Sequence, residues 1–233
     1  MGFGIFSIPY LSKLSVPTLK PLKTIVMPRR KTYGYILLVF LVLSGLAGTP
    51  TDDALSKKER KFAADIMKGT KANVQEAIKG LNDKQLNYKI SPDSWSVQEC
   101  VYHIAASEKI LWDMLKKSMN TAPSPELKKQ HIFTDEEVIK MISSREHKVK
   151  TFAALEPQNT GYKSIDEALH DFKTTRAAHI KYIKATSEDL RNHYVQMQFG
   201  VLDCYQLCLM ISAHTSRHIH QLNEVKADTG FPK

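Results

Sequence analysis

The chain has 233 residues, of which 33 are Lys or Arg and 24 are Asp or Glu, giving a formal charge of +9 with 42% hydrophobic content. That length suits one ordinary domain with something appended, and that apolar fraction excludes a disordered chain. Ten Gly and ten Pro exclude collagen-like and Pro-rich classes, and three Cys exclude a disulfide-dense scaffold.

A charge of +9 spread over a domain would point to nucleic acid or an anionic surface. It is not spread: Lys13, Lys20, Lys23, Arg29, Arg30 and Lys31 lie within residues 1–47, which hold no acidic residue. The remainder is nearly balanced at +3, so no nucleic-acid partner is expected. Met27-Pro28-Arg29-Arg30-Lys31 forms a positive n-region, followed by an apolar run over 35–43 and the small residues Ser44, Gly45, Ala47 and Gly48. This is the layout of a secretory signal peptide, with Gly45-Leu46-Ala47 as cleavage site and Met27 as the expected start. Even stretched over 33–48 the run is shorter than the ~20 residues of a spanning helix. The expectation is therefore a leader over 1–47, a linker over 48–55, and an exported domain over 56–233, periplasmic or secreted. A membrane anchor at 33–48 is the alternative. Cys100, Cys204 and Cys208 read as buried small hydrophobes, with a Cys100–Cys204 bridge as the other reading.

Helical periodicity dominates the rest, and no strand alternation stands out. The first helix is expected over 56–79, with Phe62, Ile66, Thr70, Val74, Ala77 and Ile78 facing inward. Pro92 breaks the following loop. Ser96 with Glu99 is a capping box that opens a second helix reaching about residue 119, before Pro123 and Pro125 interrupt. Thr134 with Glu137 opens a polar helix to about 154, and Ser164 with Glu167 opens another to about 186. In that helix Ile165, Leu169, Phe172, Ala177, Ile180 and Ile183 are the apolar positions. Gly200 precedes the last helix, expected over 202–227 and ended by Gly230 and Pro232. Four long amphipathic helices and a shorter crossover helix make an all-α four-helix bundle.

The chemical inventory is nine histidines. His131, His147, His170, His179, His193 and His220 lie in polar surroundings or near helix ends and are expected to be solvated. His214 and His218 are four apart, so both project from one face of the last helix. Spacing alone is weak, because such a pair arises by chance in roughly one chain in three of this composition. The face is more telling: at about 100° per residue, Leu207, Ile211, Leu222 and Val225 all cluster around His218. Two imidazoles buried there without partners would cost about 1–3 kcal/mol each. Either hydrogen-bond partners in the core or a metal removes that penalty, and His103 on the second helix is the best candidate for a third ligand. A di-iron bundle needs two Glu-x-x-His motifs, and only Glu167-x-x-His170 is present; the His-Glu-x-x-His motif is absent. Glu108, central in an apolar stripe, reads as a partner of the ligands, a general base, or one half of an ion pair with a neighbouring helix. Arg217 and Gln221 flank His214 and read as substrate contacts or as ordinary rim residues. Trp95 reads as a packing residue at the start of the second helix.

The run Ser94-Trp95-Ser96-Val97-Gln98-Glu99-Cys100-Val101-Tyr102-His103-Ile104, followed by Glu108, resembles the W-S-x-x-E-x-x-x-H helix start of the DinB/YfiT-like superfamily. Ala213-His214-Thr215-Ser216-Arg217-His218-Ile219-His220-Gln221 is similar to that family's closing H-x-x-R-H-x-x-Q helix. Phe172-Lys173-Thr174-Thr175-Arg176 and Gly200-Val201-Leu202-Asp203 extend the likeness from about residue 56 to the C-terminus. The resemblance implies an up-down-down-up bundle and a divalent metal, zinc or nickel, on His103, His214 and His218. It further implies metal-dependent chemistry on a small-molecule substrate, either thiol transfer or hydrolysis, with a non-catalytic metal- or ligand-binding stress-response module as the alternative. A homodimer is compatible with such a bundle. Thiol transfer fits an exported chain less well, since low-molecular-weight thiols are scarcer outside the cytosol.

Overall fold

The computed structural model describes residues 54–146 and 150–233. The expected leader over 1–47 and most of the linker lie outside the described residues. Four long helices make the frame: α1 (Lys57–Ile78), α3 (Val97–Met119), α6 (Ile165–Ala185) and α7 (Cys204–Lys226). Three shorter helices join them, α2 (Asp83–Asn87), α4 (Pro125–Gln130) and α5 (Asp135–Ser143). Two 3₁₀ turns, Ala153–Leu155 and Pro157–Asn159, precede α6, and a hairpin of β1 (Tyr194–Met197) and β2 (Gly200–Asp203) precedes α7.

Capping chemistry sets the helix starts. Ser56, Ser96 and Thr134 each accept from the backbone N–H three residues on, while Glu59, Glu99 and Glu137 accept from the cap's own N–H. The α5 helix stops at Ser143, well short of the expected residue 154. Ser143 Oγ donates back to the Ile139 carbonyl and Ser144 Oγ accepts from Glu146 N–H, so local side-chain bonds replace the helical ladder.

Contacts along the long helices establish their directions. From α1 to α7, the Tyr205 hydroxyl donates to the Glu59 carbonyl and Lys226 Nζ to the Ala77 carbonyl, so these helices run parallel. From α3 to α6, Lys109 pairs with Asp171 and Trp112 stacks on His179, again a parallel pair. Arg60 reaches Thr186, whereas Arg176 reaches Met67 and Thr70, so α1 and α6 are antiparallel. The order is up-down-down-up. Both α1 and α3 pack against both α6 and α7.

Burial corrects two inward positions. Phe62 is exposed, and Ala63, Ala64 and Met67 form the buried face of α1 with Thr70, Val74 and Ala77. In α6, Ala177 is exposed and its neighbour Arg176 is fully buried. The three cysteines are free and buried, with Cys204 and Cys208 in the core cluster around Met67 and Leu115, and Cys100 in another beside Val97 and Leu222.

The hairpin, missed by periodicity because each strand has four residues, supplies the approach to α7. Gly200 sits at φ +143°, and a Cβ there would lie 2.6 Å from the Phe133 ring. Asp203 then caps α7 by accepting from Gln206 N–H at 2.6 Å. Arg191 ties Asp203 to Glu59 and Asp135, so one guanidinium joins the starts of α1, α5 and α7. Among the described residues, no helix is long and apolar enough to cross a membrane.

Candidate metal centre

His103 lies two turns into α3, His214 lies at the middle of α7, and His218 lies one turn further on. Because α3 and α7 run antiparallel, these positions fall at the same level, and the three Nε2 atoms converge. His214 Nε2 is 3.2 Å from His103 Nε2 and 3.2 Å from His218 Nε2. Among the described residues this is the group of three or more His, Cys, Asp or Glu side chains placed to hold an ion.

The other ring nitrogens decide the chemistry. His103 Nδ1 is 2.8 Å from the Leu155 carbonyl, an acceptor only, so it carries the proton and donates. His218 Nδ1 likewise donates to Gln221 Oε1 at 2.9 Å. Both neutral rings therefore turn Nε2 lone pairs toward His214, whose one proton can meet only one of them; the Ser107 hydroxyl, 3.3 Å from His103 Nε2, is the other donor within reach. Burial keeps the rings neutral. His103 is pushed down to about 4, the Leu155 carbonyl opposing the shift. His214 and His218 are held well below the ordinary histidine range, chiefly by burial, with His103 adding to the shift of both and His214 to that of His218. Two imidazole nitrogens bound to one divalent ion at about 2.1 Å, with angles between about 90° and 109°, sit about 3.0–3.4 Å apart. The observed 3.2 Å separations fit that spacing.

The cluster forms part of the wall of a cavity of about 1150 Å³. Trp95, read from sequence as packing, lines this cavity with its ring 4.8 Å from His103 and 5.8 Å from His218. Ser107, one turn after His103 and buried, places Oγ 3.3 Å from His103 Nε2. Neither residue was singled out as part of the site by the sequence reading; for Ser107, the i+4 spacing from His103 was the available signal. Arg217 and Gln221 both line the cavity. Gln221 also accepts from Arg145 Nη1 at 3.3 Å, which fixes the amide against His218.

Glu108 is placed elsewhere. It is buried between helices, takes Nε and Nη2 of Arg176 at 2.6 and 2.5 Å, and accepts from His179 Nδ1 at 2.7 Å. Burial alone would raise its carboxyl; the Arg176 charge and the bonds from His179 and Arg176 overcome this and hold it below its ordinary value. Of the three sequence alternatives, the ion pair with a neighbouring helix is the one formed. His179 is the histidine whose expected solvation the structure corrects, since it is buried and stacked on Trp112 with centroids 3.6 Å apart. Its sequence neighbours are mixed, and only α3 opposite shows why it turns inward. His170 and His220 are exposed, His131 and His193 are half-buried, and His147 lies outside the described residues.

Comparison with known proteins agrees with this arrangement of helices. The chain is 27% identical over 151 residues to "Uncharacterized protein YuaE" of Bacillus subtilis (strain 168), covering 64% of this chain and 88% of that protein. It is similar in fold to the solved structure described as "YfiT from Bacillus subtilis is a probable metal-dependent hydrolase with an unusual four-helix bundle topology". That likeness has a TM-score of 0.53 at 14% identity, covers 79% of this chain and 94% of the other, and speaks for the fold. Residues 67–222 match the DinB superfamily, a stretch that takes in the three converging histidines, and the chain belongs to that superfamily.

Proposed function

We propose that His103, His214 and His218 hold one divalent metal ion, zinc or nickel, and that the protein is a metal-dependent hydrolase of a small substrate. The observation that carries this reading is the convergence of three Nε2 atoms, with the lone pairs of His103 and His218 turned inward, at the wall of a cavity. A purely storage or structural site would close its ligand shell; here the shell faces open space, which favours an enzyme over a non-catalytic module. When bound, such an ion supplies Lewis acidity, lowering the pKa of water and polarising a carbonyl.

The chain's own residues do the rest. The Leu155 carbonyl and Gln221 hold protons on the outer nitrogens of His103 and His218, keeping Nε2 of each ring available and its plane fixed. Trp95 shields the two rings from water on one side. Arg217 and Gln221 line the cavity beside the cluster, where they would hold the polar part of a substrate. Glu108 takes no part, because Arg176 and His179 occupy its carboxylate.

The layout of residues 27–48 supports export, and hydrolysis suits that setting better than thiol transfer. N-terminal sequencing of the mature protein should begin at Gly48. For the site, purified wild-type protein should carry stoichiometric metal by elemental analysis and hydrolyse members of an ester panel. His218→Ala should lose the metal; full retention of stoichiometric metal in that variant would overturn the assignment.

A further inference from the structure

Seven large hydrophobic side chains are exposed among the described residues, and five of them, Ile90, Ile110, Met141, Phe152 and Phe199, line the histidine cavity. They come from five separate places in the chain: the loop before α3, α3 itself, α5, the segment after α5 and the hairpin turn. Being both exposed and cavity-lining, they stand at its open side, while His103, His214 and His218 stand deeper. Exposed apolar groups gathered around one concavity mark a ligand surface. The volume, about 1150 Å³, exceeds the roughly 300–1,000 Å³ typical of drug-sized ligands.

Charge does not select the ligand here. The lining holds three cations, Arg145, Lys150 and Arg217, and three carboxylates, Asp93, Glu156 and Glu224. Arg145 is committed to Glu224, with Nη2 at 2.8 Å from its carboxylate. A balanced rim gives no field to draw the protein onto an anionic membrane, and the collar is concave with reactive groups at depth.

Resting on the hydrolase reading above, we infer that the substrate is a single-chain amphiphile. Its medium-length alkyl or acyl chain lies in the collar of Ile90, Ile110, Met141, Phe152 and Phe199, and its ester or amide group reaches the three histidines. The collar thus sets specificity by apolar length, separately from the polar chemistry of the cluster.

Two binding series separate the inference from the reading beneath it. In the first, straight-chain alcohols from butanol to decanol are titrated calorimetrically into metal-stripped protein. Affinity should rise about two- to fourfold per methylene until the chain outgrows the cavity. Phe152→Ser should flatten that rise, and Phe62→Ser, an exposed position outside the cavity, should leave it unchanged. An affinity independent of chain length overturns the inference, as does an equal effect of the two serine variants. So does a flat series with Phe152-dependent flotation on phosphatidylcholine vesicles, which would make the collar a membrane contact. In the second series, acetohydroxamate is titrated into zinc-loaded protein and into His218→Ala. Hydroxamate binding with a flat alcohol series leaves the metal centre standing and removes the collar; a rising alcohol series without hydroxamate binding does the reverse.

Discussion

Replacing Arg176 by Met removes the cation from the middle of the bundle while keeping an unbranched side chain that reaches about as far as the Arg Nε. Arg176 is fully buried and makes five hydrogen bonds, to Glu108 Oε1 and Oε2, Thr70 Oγ1, Thr215 Oγ1 and the Met67 carbonyl, joining all four long helices. Without it the Glu108 carboxylate keeps His179 as its partner and stays out of water. Truncating one member of a buried ion pair typically destabilises by about 3–5 kcal/mol, most of it from the stranded charge. For a domain of this size that corresponds to a fall in Tm of roughly 6–20 °C. Urea unfolding of metal-stripped wild type and Arg176→Met near neutral pH measures the loss directly. Adding Glu108→Leu to Arg176→Met should recover stability, because it removes the stranded charge. A single-variant loss below about 1 kcal/mol, or a double variant less stable than the single, would refute the reasoning.

Three other outcomes are expected. Gln221→Leu takes away the acceptor that fixes His218 Nδ1 and should lower metal affinity about 10- to 100-fold in a chelator competition, with the fold retained by circular dichroism. Metal-stripped protein should lose stability as pH falls from about 6.5 towards 4. His103 is held at about 4 when folded against 6.5 when unfolded, so in that window the unfolded chain binds more protons. His214 and His218 shift the same way, and a stability that rose on acidification over this range would contradict the buried neutral rings. Gly200→Ala forces a Cβ to within 2.6 Å of Phe133 at φ +143° and should destabilise by about 1–3 kcal/mol in thermal melts, whereas Gly69→Ala, with open space around it, should not.

Local chemistry written in the sequence determined the four long helices and their starts. Ser56, Ser96, Ser164 and Asp203 cap them through bonds that span three residues, so nearby residues suffice to read them. The same holds for the pairing of His214 with His218, which one helix face decides. What lies across from a face is not local, and there the tertiary structure decided. Arg176 and His179 read as polar helix positions until Glu108, Trp112 and Thr215, from two other helices, surround them. Trp95 joins the histidine cavity because the loop before α3 brings its ring over α7. The inward lone pair of His103 depends on the Leu155 carbonyl, 52 residues away and delivered by a 3₁₀ turn that periodicity could not locate. Residue spacing thus placed the imidazoles on their helices. The antiparallel packing of α3 on α7, and the carbonyl and amide behind the rings, made them a site that can take an ion.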